Sequence, residues 1–300
     1  MTNLPPALRS SLRHAFELTT LPEPLVTRSQ DGTRKLLFSL HEGGAIESVI
    51  IPDPPRLTIC ISSQAGCAMG CAFCATARLG LQRNLTAAEI VAQIVAARRH
   101  LDASERITNV VFMGMGEPLA NYDALLQAIE ILHADWGQGL SARRITVSTV
   151  GLLPQLERLV REAPVSIAVS LSATTDEARD SLMPVNRRYP LADLFATCRS
   201  LPIAQRRRIT FEYVLLAGVN DHADDAARLV RHLHGIRSKV NLIPFNPFEG
   251  SGFTRPTEPA IRVFQERLLA AGISATVRIS RGRDIHAACG QLAATRAATG

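Results

Sequence analysis

The feature that most constrains this chain is a regular alternation of short apolar runs with amphipathic helical patterns. Runs rich in Val, Ile and Leu predict six strands, at residues 57–62, 109–113, 144–148, 165–171, 209–215 and 240–244. Helical patterns lie between and after them, at residues 86–101, 123–132, 153–162, 191–200, 224–234 and 260–271. Right-handed β/α units in series predict a parallel sheet that curls into a full or partial barrel. We expect the active site in the loops that follow the strands.

The residues before the first unit predict only a small addition to this barrel. Residues 35–52 have the pattern of a β-hairpin that turns at Gly43-Gly44, and residues 1–30 predict one short helix and a connection. We therefore divide the chain into a reduced N-terminal extension of helix and hairpin, residues 1–55, and a core of residues 56–300. The Pro- and Gly-bearing segment 244–259 is typical of a loop that covers a site.

Composition restricts the class of protein. The 300 residues are 46% hydrophobic and 20% charged, which argues against a disordered chain or a coiled coil. No apolar run is long enough to span a membrane and the start lacks a signal peptide, so we expect a cytoplasmic protein without a membrane partner. The net charge is +6, and all basic residues except Lys35 and Lys239 are Arg. Arginine suits RNA, but charge alone does not establish an RNA partner.

Three cysteines follow the first strand, in the order Cys67-x3-Cys71-x2-Cys74, within a loop rich in Gly and Ala. Zinc is one candidate ligand, but a structural zinc site normally has four protein ligands and the sequence has no second Cys or His pair at suitable spacing. Three thiolates also suit a [4Fe–4S] cluster with one iron left open. The triplet predicts a metal centre and favours the cluster.

A second motif, Gly114-Met115-Gly116-Glu117-Pro118-Leu119, follows the second strand. It is not a dinucleotide fingerprint, because Leu119 stands where a third glycine is needed. Together with the cysteine triplet, which carries Phe73 before its last cysteine, this turn resembles the radical S-adenosylmethionine (SAM) superfamily. The resemblance implies a partial (β/α)6 radical SAM barrel. It also implies one [4Fe–4S] cluster on Cys67, Cys71 and Cys74, and S-adenosylmethionine bound at the open iron.

Two isolated cysteines narrow the resemblance. Cys60 precedes the triplet, and Cys289 lies in the segment Asp284-Ile-His-Ala-Ala-Cys-Gly-Gln-Leu. With the triplet they resemble the RlmN/Cfr family of radical SAM RNA methyltransferases, over about residues 29–292. The resemblance implies that Cys289 is an S-methylcysteine intermediate, that Cys60 is the thiol that resolves it through a transient disulfide, and that Glu47 is a proton acceptor. It implies cofactor contacts from Gly116, Glu117, Ser148, Ser170, Leu171, Ser172 and Asn246.

The function implied by this resemblance is transfer of a methyl group to an adenine ring carbon, C2, of rRNA or tRNA. It proceeds by a radical route through a protein–RNA adduct. Each turnover would consume two S-adenosylmethionine molecules, and an external one-electron reductant such as flavodoxin or ferredoxin would serve a monomer. Adenine C8 of 23S rRNA is an alternative target. A radical SAM activase or mutase, which would need neither Cys60 nor Cys289, and a non-enzymatic iron–sulfur or zinc RNA-binding module remain further alternatives.

Two departures from the family's pattern bear on the substrate. The N-terminal region is shorter than the helical accessory domain of family members that act on ribosomal RNA, and Ser172 stands where members often have His. Arg281 and Arg283 flank the Cys289 segment and are predicted RNA contacts, whereas Arg187-Arg188 and Arg206-Arg207-Arg208 suit a solvated surface equally well. Cys198 falls on a helical apolar stripe and is predicted to be a core residue.

Overall fold

The computed structural model describes residues 4–15, 21–41 and 43–294. Its strands are β1 Leu25–Arg28, β2 Arg34–Ser39, β3 Ala45–Asp53, β4 Arg56–Cys60, β5 Gln64–Gly66, β6 Leu81–Asn84, β7 Asn109–Phe112, β8 Ile145–Thr149, β9 Ser166–Ser170, β10 Ile209–Leu215, β11 Ser238–Pro244 and β12 Ala275–Val277. Its α-helices are α1 Pro6–Ala15, α2 Ala75–Arg78, α3 Ala87–Ala97, α4 Tyr122–His133, α5 Leu153–Glu162, α6 Asp176–Leu182, α7 Leu191–Ser200, α8 Ala223–Leu233 and α9 Glu258–Ala270.

One ten-stranded sheet organises the molecule, in the order β1-β2-β3-β4-β7-β8-β9-β10-β11-β12. From β4 onward every pairing is parallel, so the carboxyl ends of these strands meet at one rim. The six predicted strands are confirmed as β4 and β7 to β11, and the predicted barrel class is confirmed. The short strand β12 was not predicted, because its three residues include the exposed Thr276 and carry little apolar signal.

The N-terminal strands extend this sheet. The predicted hairpin is confirmed as β2 and β3, which pair antiparallel, and β3 pairs antiparallel with β4 through Val49 opposite Cys60. The proposed boundary at residue 55 falls in the turn between β3 and β4, where Asp53 pairs with Arg56. Strands on both sides of this boundary therefore belong to one sheet, and the division into an extension and a core stays a prediction.

The apolar residues of helices α3, α4, α5, α7, α8 and α9 join the main core, whereas Leu182 of α6 packs with Met183 and Phe245 in a second cluster and α1 has no buried residue. Helix α3 begins at a capping box: the Glu89 amide donates to Thr86 Oγ1 at 3.2 Å, and the Thr86 amide donates to Glu89 Oε2 at 2.9 Å. Cys198 on α7 is 3% exposed within this core, which confirms its predicted place. Within the described ranges, no helix has the length and apolar character needed to cross a bilayer.

A closing segment, residues 278–294, follows β12 and links the two ends of the curved sheet. Its Gly282 amide donates to Asp31 Oδ2 at 2.9 Å, beside the turn between β1 and β2. The amides of Ala293 and Ala294 donate to Glu47 Oε2 on β3, at 3.0 and 3.1 Å. The segment therefore spans the gap between β12 and the N-terminal strands, and it brings Cys289 over the interior of the barrel.

Candidate active site

Two adjoining cavities occupy the interior of the barrel. The upper cavity lies at the carboxyl ends of the strands; its wall residues include Cys67, Cys71, Cys74, Gly116, Glu117, Ser148, Ser170, Ser172, Asn246 and Cys289. The lower cavity has a volume of about 650 Å³ and extends past inward-facing residues to the amino ends of the strands; its wall residues include Thr58, Cys60, Asn109, Thr146, Thr210, Lys239, Asn241, Thr276, Arg281 and Cys289. Ten residues belong to both walls, among them Cys289.

The cysteine triplet is carried by the loop between β5 and α2. This loop turns sharply at Gly66, where φ is +76° and an added Cβ would lie 1.8 Å from the Gly80 carbonyl oxygen, so only glycine fits. All three thiols are free. Burial raises the pKa of Cys67 to about 11 and also raises the pKa of Cys71, and the thiols of the triplet raise one another's pKa further. A cationic centre would offset this cost, because it stabilises the thiolate forms.

The donor set fits a cluster better than a single metal ion. Within the part of the chain that the structure describes, no three His, Cys, Asp or Glu side chains are grouped closely enough to hold one metal ion. The three thiols instead line the wall of one cavity. A [4Fe–4S] cluster suits this arrangement, because its cysteine ligands bind different iron atoms.

Glu117 lies at the end of β7, in a turn that depends on two glycines. An added Cβ at Gly114 would lie 2.7 Å from the backbone of Ile61, and one at Gly116 would lie 2.5 Å from the Gln64 Cβ. Glu117 accepts hydrogen bonds from the amides of Leu119 at 3.0 Å and Val150 at 2.9 Å. Burial nevertheless raises the pKa of Glu117 to about 7. A ligand ammonium group in the upper cavity would restore the ionised form.

The other predicted cofactor residues lie at the ends of β8, β9 and β11. Ser148, Ser170, Ser172 and Asn246 line the upper cavity. The Asn246 Nδ2 donates to the Cys289 carbonyl at 3.3 Å, but its buried Oδ1 has no hydrogen-bond partner within the described residues, as expected of a group that binds a ligand. Leu171 differs from these residues: its side chain is fully buried in the apolar core and outside the cavity wall.

Arg179 supports this rim and was missed by the sequence analysis. The side chain of this α6 residue is fully buried, and it donates to the carbonyls of Val150 at 2.8 Å, Ser170 at 3.3 Å and Leu171 at 3.3 Å. Burial lowers its pKa to about 10. Because these acceptors follow two different strands, Arg179 holds their ends in register. The sequence did not indicate this role, because a single arginine in a short polar helix is usually exposed to solvent.

Cys289 and Cys60 lie on the wall of the lower cavity, and Cys289 also borders the upper one. Both thiols are free. Burial and then the nearby Cys289 raise the pKa of Cys60 to about 12. The segment around Cys289 is tied to the cysteine loop, because the Ala75 amide donates to the Gly290 carbonyl at 2.7 Å. Cys289 therefore faces the predicted cofactor site and Cys60 together.

Glu47 lies outside both cavity walls. The register of β3 on β4 puts it on the same face of the sheet as Val49 and Cys60, the face toward the interior. It is fully buried, with Lys35 Nζ 3.0 Å from Oε1, while Oε2 accepts the amides of Ala293 and Ala294. Its described contacts fasten the closing segment, and its predicted role as a proton acceptor stays a prediction.

Two charged residues that the sequence analysis did not single out line both cavities. Glu212 on β10 is 6% exposed, and burial raises its pKa. Arg278 begins the closing segment; the nearby Cys289 and Glu212 raise its pKa, and its Nη1 lies 3.9 Å from the Met113 Sδ. Glu212 could have been singled out from the sequence, because it is a charged residue at an inward position of an otherwise apolar strand.

The mouth of the lower cavity is basic. Arg56, Lys239 and Arg281 belong to its wall, and the exposed Ile279 lies beside them. Arg283 is exposed on the same segment but outside the wall. The arginine groups at 187–188 and 206–208 line neither cavity, and Arg207 donates instead to the Val165 carbonyl at 2.9 Å.

Comparison with known proteins agrees with this geometry. Residues 61–230 match the Radical SAM superfamily. The chain is 56% identical to the dual-specificity RNA methyltransferase RlmN of Syntrophobacter fumaroxidans, covering 95% of this chain and 84% of that protein. It is 54% identical to the protein of the same name from Geobacter sulfurreducens, covering 97% and 80% of the two chains.

Solved structures give the same result for the fold. A radical SAM methyltransferase from Sphaerobacter thermophilus superposes with a TM-score of 0.93 at 50% identity, covering 98% of this chain and 87% of that one. Streptococcus suis SuiB, solved with S-adenosylmethionine, has a TM-score of 0.52 at 13% identity over 76% of this chain and 49% of its own. The latter likeness supports the fold alone.

Proposed function

The chain belongs to the radical SAM superfamily and, within it, to the RlmN-type RNA methyltransferases, and from this premise we propose that it methylates C2 of an adenine in rRNA or tRNA. It is an enzyme that uses S-adenosylmethionine, a [4Fe–4S] cluster and an RNA substrate. The observation that carries the proposal is the position of Cys289 on the wall shared by the two cavities, with Cys60 on the wall of the lower one.

The cofactor side of the proposal uses the upper cavity. Cys67, Cys71 and Cys74 would hold one cluster per chain, and that cluster would supply the one-electron chemistry by which S-adenosylmethionine is cleaved. Glu117 binds the ammonium group of the cofactor, and Gly116 leaves space for its approach. The remaining contacts come from Ser148, Ser170, Leu171, Ser172 and Asn246, with Leu171 contributing through its backbone because its side chain lies in the core.

The substrate chemistry explains why a thiol carrier is needed. Adenine C2 is neither nucleophilic nor readily deprotonated, so a direct polar transfer of a methyl group to it has no low-energy route. Cys289 therefore takes a methyl group from one S-adenosylmethionine by displacement, as a thiolate can. Its S-methyl group then loses a hydrogen atom to the radical derived from a second S-adenosylmethionine, and the methylene carbon bonds to C2. Two S-adenosylmethionine molecules are consumed in each turnover.

Cys60 completes the cycle in this proposal. The adduct would first lose its ring proton and one electron, which the oxidised cluster would accept. Cys60 then attacks the sulfur of Cys289, which forms a disulfide and frees the methylated base. The free state of both thiols and their shared cavity support this pairing. Glu47 is the predicted acceptor of the ring proton. An external one-electron reductant such as flavodoxin or ferredoxin would serve a monomeric, cytoplasmic enzyme.

The lower cavity is our proposed binding site for the target nucleotide. Its volume of about 650 Å³ lies within the range of about 300 to 1,000 Å³ that small-molecule sites occupy. Its wall combines neutral hydrogen-bonding side chains such as Asn109 and Thr146 with the charged Glu212 and Arg278. Lys239 and Arg281 at the mouth suit phosphates, whereas Arg56 is paired with Asp53 at 2.8 Å. The target adenine would leave its stack to enter this cavity, as in other enzymes that modify a nucleobase.

Mass spectrometry of RNA tests this proposal. Digested rRNA and tRNA from cells with and without the gene are compared for 2-methyladenosine and 8-methyladenosine, and the proposal expects loss of the 2-methyl isomer. Loss of the 8-methyl isomer alone would assign C8 instead. In vitro, the Cys289→Ala protein should still cleave S-adenosylmethionine but should not label RNA. Unchanged RNA labelling by this variant would refute the thiol-carrier route.

A further inference from the structure

Glu212 is the one carboxylate among the described residues that belongs to the walls of both cavities. Its neighbours on those walls include Cys289 and Arg278, and Cys60 lies on the lower wall. The proposed function gives Glu212 no role so far. Its place on the cavity wall that also carries Cys60 and Cys289 calls for one, because a buried carboxyl group is costly unless it binds a partner or takes part in the chemistry.

We propose that Glu212 relays the proton in the step that frees the methylated base. The inference rests on the thiol-carrier route described above. As the Cys60 sulfur attacks the sulfur of Cys289, the Glu212 carboxylate takes the Cys60 thiol proton. It then gives that proton to the methylene carbon that leaves the Cys289 sulfur.

The step balances without any further reagent. The S–H bond of Cys60 breaks, the disulfide between Cys60 and Cys289 forms, and the bond between the Cys289 sulfur and the methylene carbon breaks with its electron pair on carbon. The adenine ring stabilises that pair until the proton arrives and the methyl group is complete. Thiol plus thioether give disulfide plus methylated base, and Glu212 ends as it began.

The environment of Cys60 requires such a relay. Burial and then the nearby Cys289 raise its pKa to about 12, so little thiolate is present at neutral pH. General acid–base catalysis by a positioned side chain is typically worth a factor of about 10² to 10⁴ in rate. A carboxyl group that both accepts and donates a proton during one step provides this assistance on both sides of the transfer.

The contacts of Glu212 suit both parts of the relay, the acceptance of a proton and its donation. Asn241 Nδ2 donates to Oε2 at 2.7 Å, and the Thr276 hydroxyl donates to Asn241 Oδ1 at 3.3 Å, so the side chain is held from one side. Among the described residues, hydrogen bonds are made to the Oε2 atom of Glu212 and not to its Oε1 atom. Burial favours the protonated form of Glu212 and raises its pKa, whereas Arg278, the hydrogen bond from Asn241 and Lys239 favour the carboxylate form. Glu47, in contrast, has both oxygens occupied by Lys35 and the closing segment.

The experiment follows one turnover of the reconstituted holoenzyme. Wild type, Glu212→Gln, Glu212→Asp, Glu47→Gln and Cys60→Ala are each mixed with RNA, S-adenosylmethionine and reductant, then quenched at intervals. Intact-protein mass spectrometry measures S-methyl-Cys289, denaturing gels measure the covalent protein–RNA adduct, and chromatography measures 5′-deoxyadenosine and methylated RNA. Cys60→Ala marks complete arrest of adduct release.

We expect Glu212→Gln to form S-methyl-Cys289, 5′-deoxyadenosine and the adduct at rates near wild type, and to release methylated RNA at least about 10²-fold more slowly. Glu212→Asp should recover part of that rate. In Glu212→Gln, the rate of adduct release should no longer change with pH over the range in which Glu212 titrates in wild type. Glu47→Gln should also accumulate adduct, because Glu47 is the predicted acceptor of the ring proton. Its adduct should still carry the C2 hydrogen, which deuterium placed at C2 of the RNA adenine reports, whereas the adduct of Glu212→Gln should have lost it.

Two results overturn the relay. Adduct release from Glu212→Gln at the wild-type rate would remove Glu212 from this step. Loss of S-methylation or of adduct formation in both Glu212 variants would show that the residue acts earlier or only in folding. If wild type and Cys60→Ala themselves form no adduct although 5′-deoxyadenosine appears, the proposed thiol-carrier function fails, and that failure is distinct from failure of the relay.

Discussion

We expect the affinity for S-adenosylmethionine to rise with pH between 6 and 7.5, because the Glu117 carboxyl must ionise to pair with the cofactor ammonium group. Burial raises the pKa of Glu117 to about 7, and hydrogen bonds from the Val150 and Leu119 amides only partly offset that burial. If Glu117 is ionised when S-adenosylmethionine is bound, the observed affinity is proportional to the fraction of free protein in which Glu117 is ionised. That fraction rises about eightfold over this interval for a pKa near 7.

The same shift has a consequence for folding stability. The pKa of Glu117 rises from 4.5 to about 7 on folding, so the folded chain binds more protons than the unfolded chain between these values. Its contribution to stability is therefore fully present below pH 4.5 and is lost as pH rises through 7. The loss amounts to about 3 kcal/mol at most. Bound cofactor opposes this loss, because its positive charge stabilises the carboxylate.

Equilibrium dialysis of labelled S-adenosylmethionine against the reconstituted protein, at constant ionic strength, measures the effect. The Glu117→Gln variant should bind more weakly at pH 7.5 and should lose the pH dependence. Glu249→Gln, which changes an exposed carboxylate in the loop after β11, is the matched control and should behave as wild type. An affinity that changes less than twofold in wild type, or an equal slope in Glu117→Gln, would refute the reasoning.

Three further expectations concern neighbouring parts of the site. Arg179→Met removes the buried donors that hold three rim carbonyls, and urea unfolding should show a loss of about 3 to 5 kcal/mol; a loss below 1 kcal/mol would contradict its supporting role. Gly116→Ala places a Cβ 2.5 Å from the Gln64 Cβ at a φ of +97°, so cofactor binding by dialysis should fall at least about tenfold. Lys239→Ala and Arg281→Ala should each lower the slope of log affinity for RNA against log salt by about one, measured by filter binding, and unchanged slopes would place the RNA elsewhere.

The main sheet could be predicted because each of its parallel strands buries Val, Ile, Leu or Phe side chains in the core and therefore reads as an apolar run. Strands β1, β5, β6 and β12 are short and partly polar, so local pattern did not reveal them. The connection predicted within residues 1–30 was therefore wrong at Leu25–Arg28, where β1 pairs with β2. The cysteine spacing and the Gly-Glu-Pro turn are local in sequence, and they indicated the cofactor side of the site. The contact between Glu47 and Ala293 joins residues 246 positions apart, and no single-sequence pattern carries such a pairing.

The closing segment also limits how far Cys289, the proposed carrier thiol, can move. It is fastened at Gly282 by Asp31 and at Ala293 by Glu47, and Cys289 lies between these two fixed points. Because the closing segment is bound on both sides of Cys289, this residue can move only a short distance. In the proposed function, methyl donor and methyl acceptor would therefore reach nearly the same position from opposite sides. The order of the steps would then depend on which cavity is filled and not on a large movement of the closing segment.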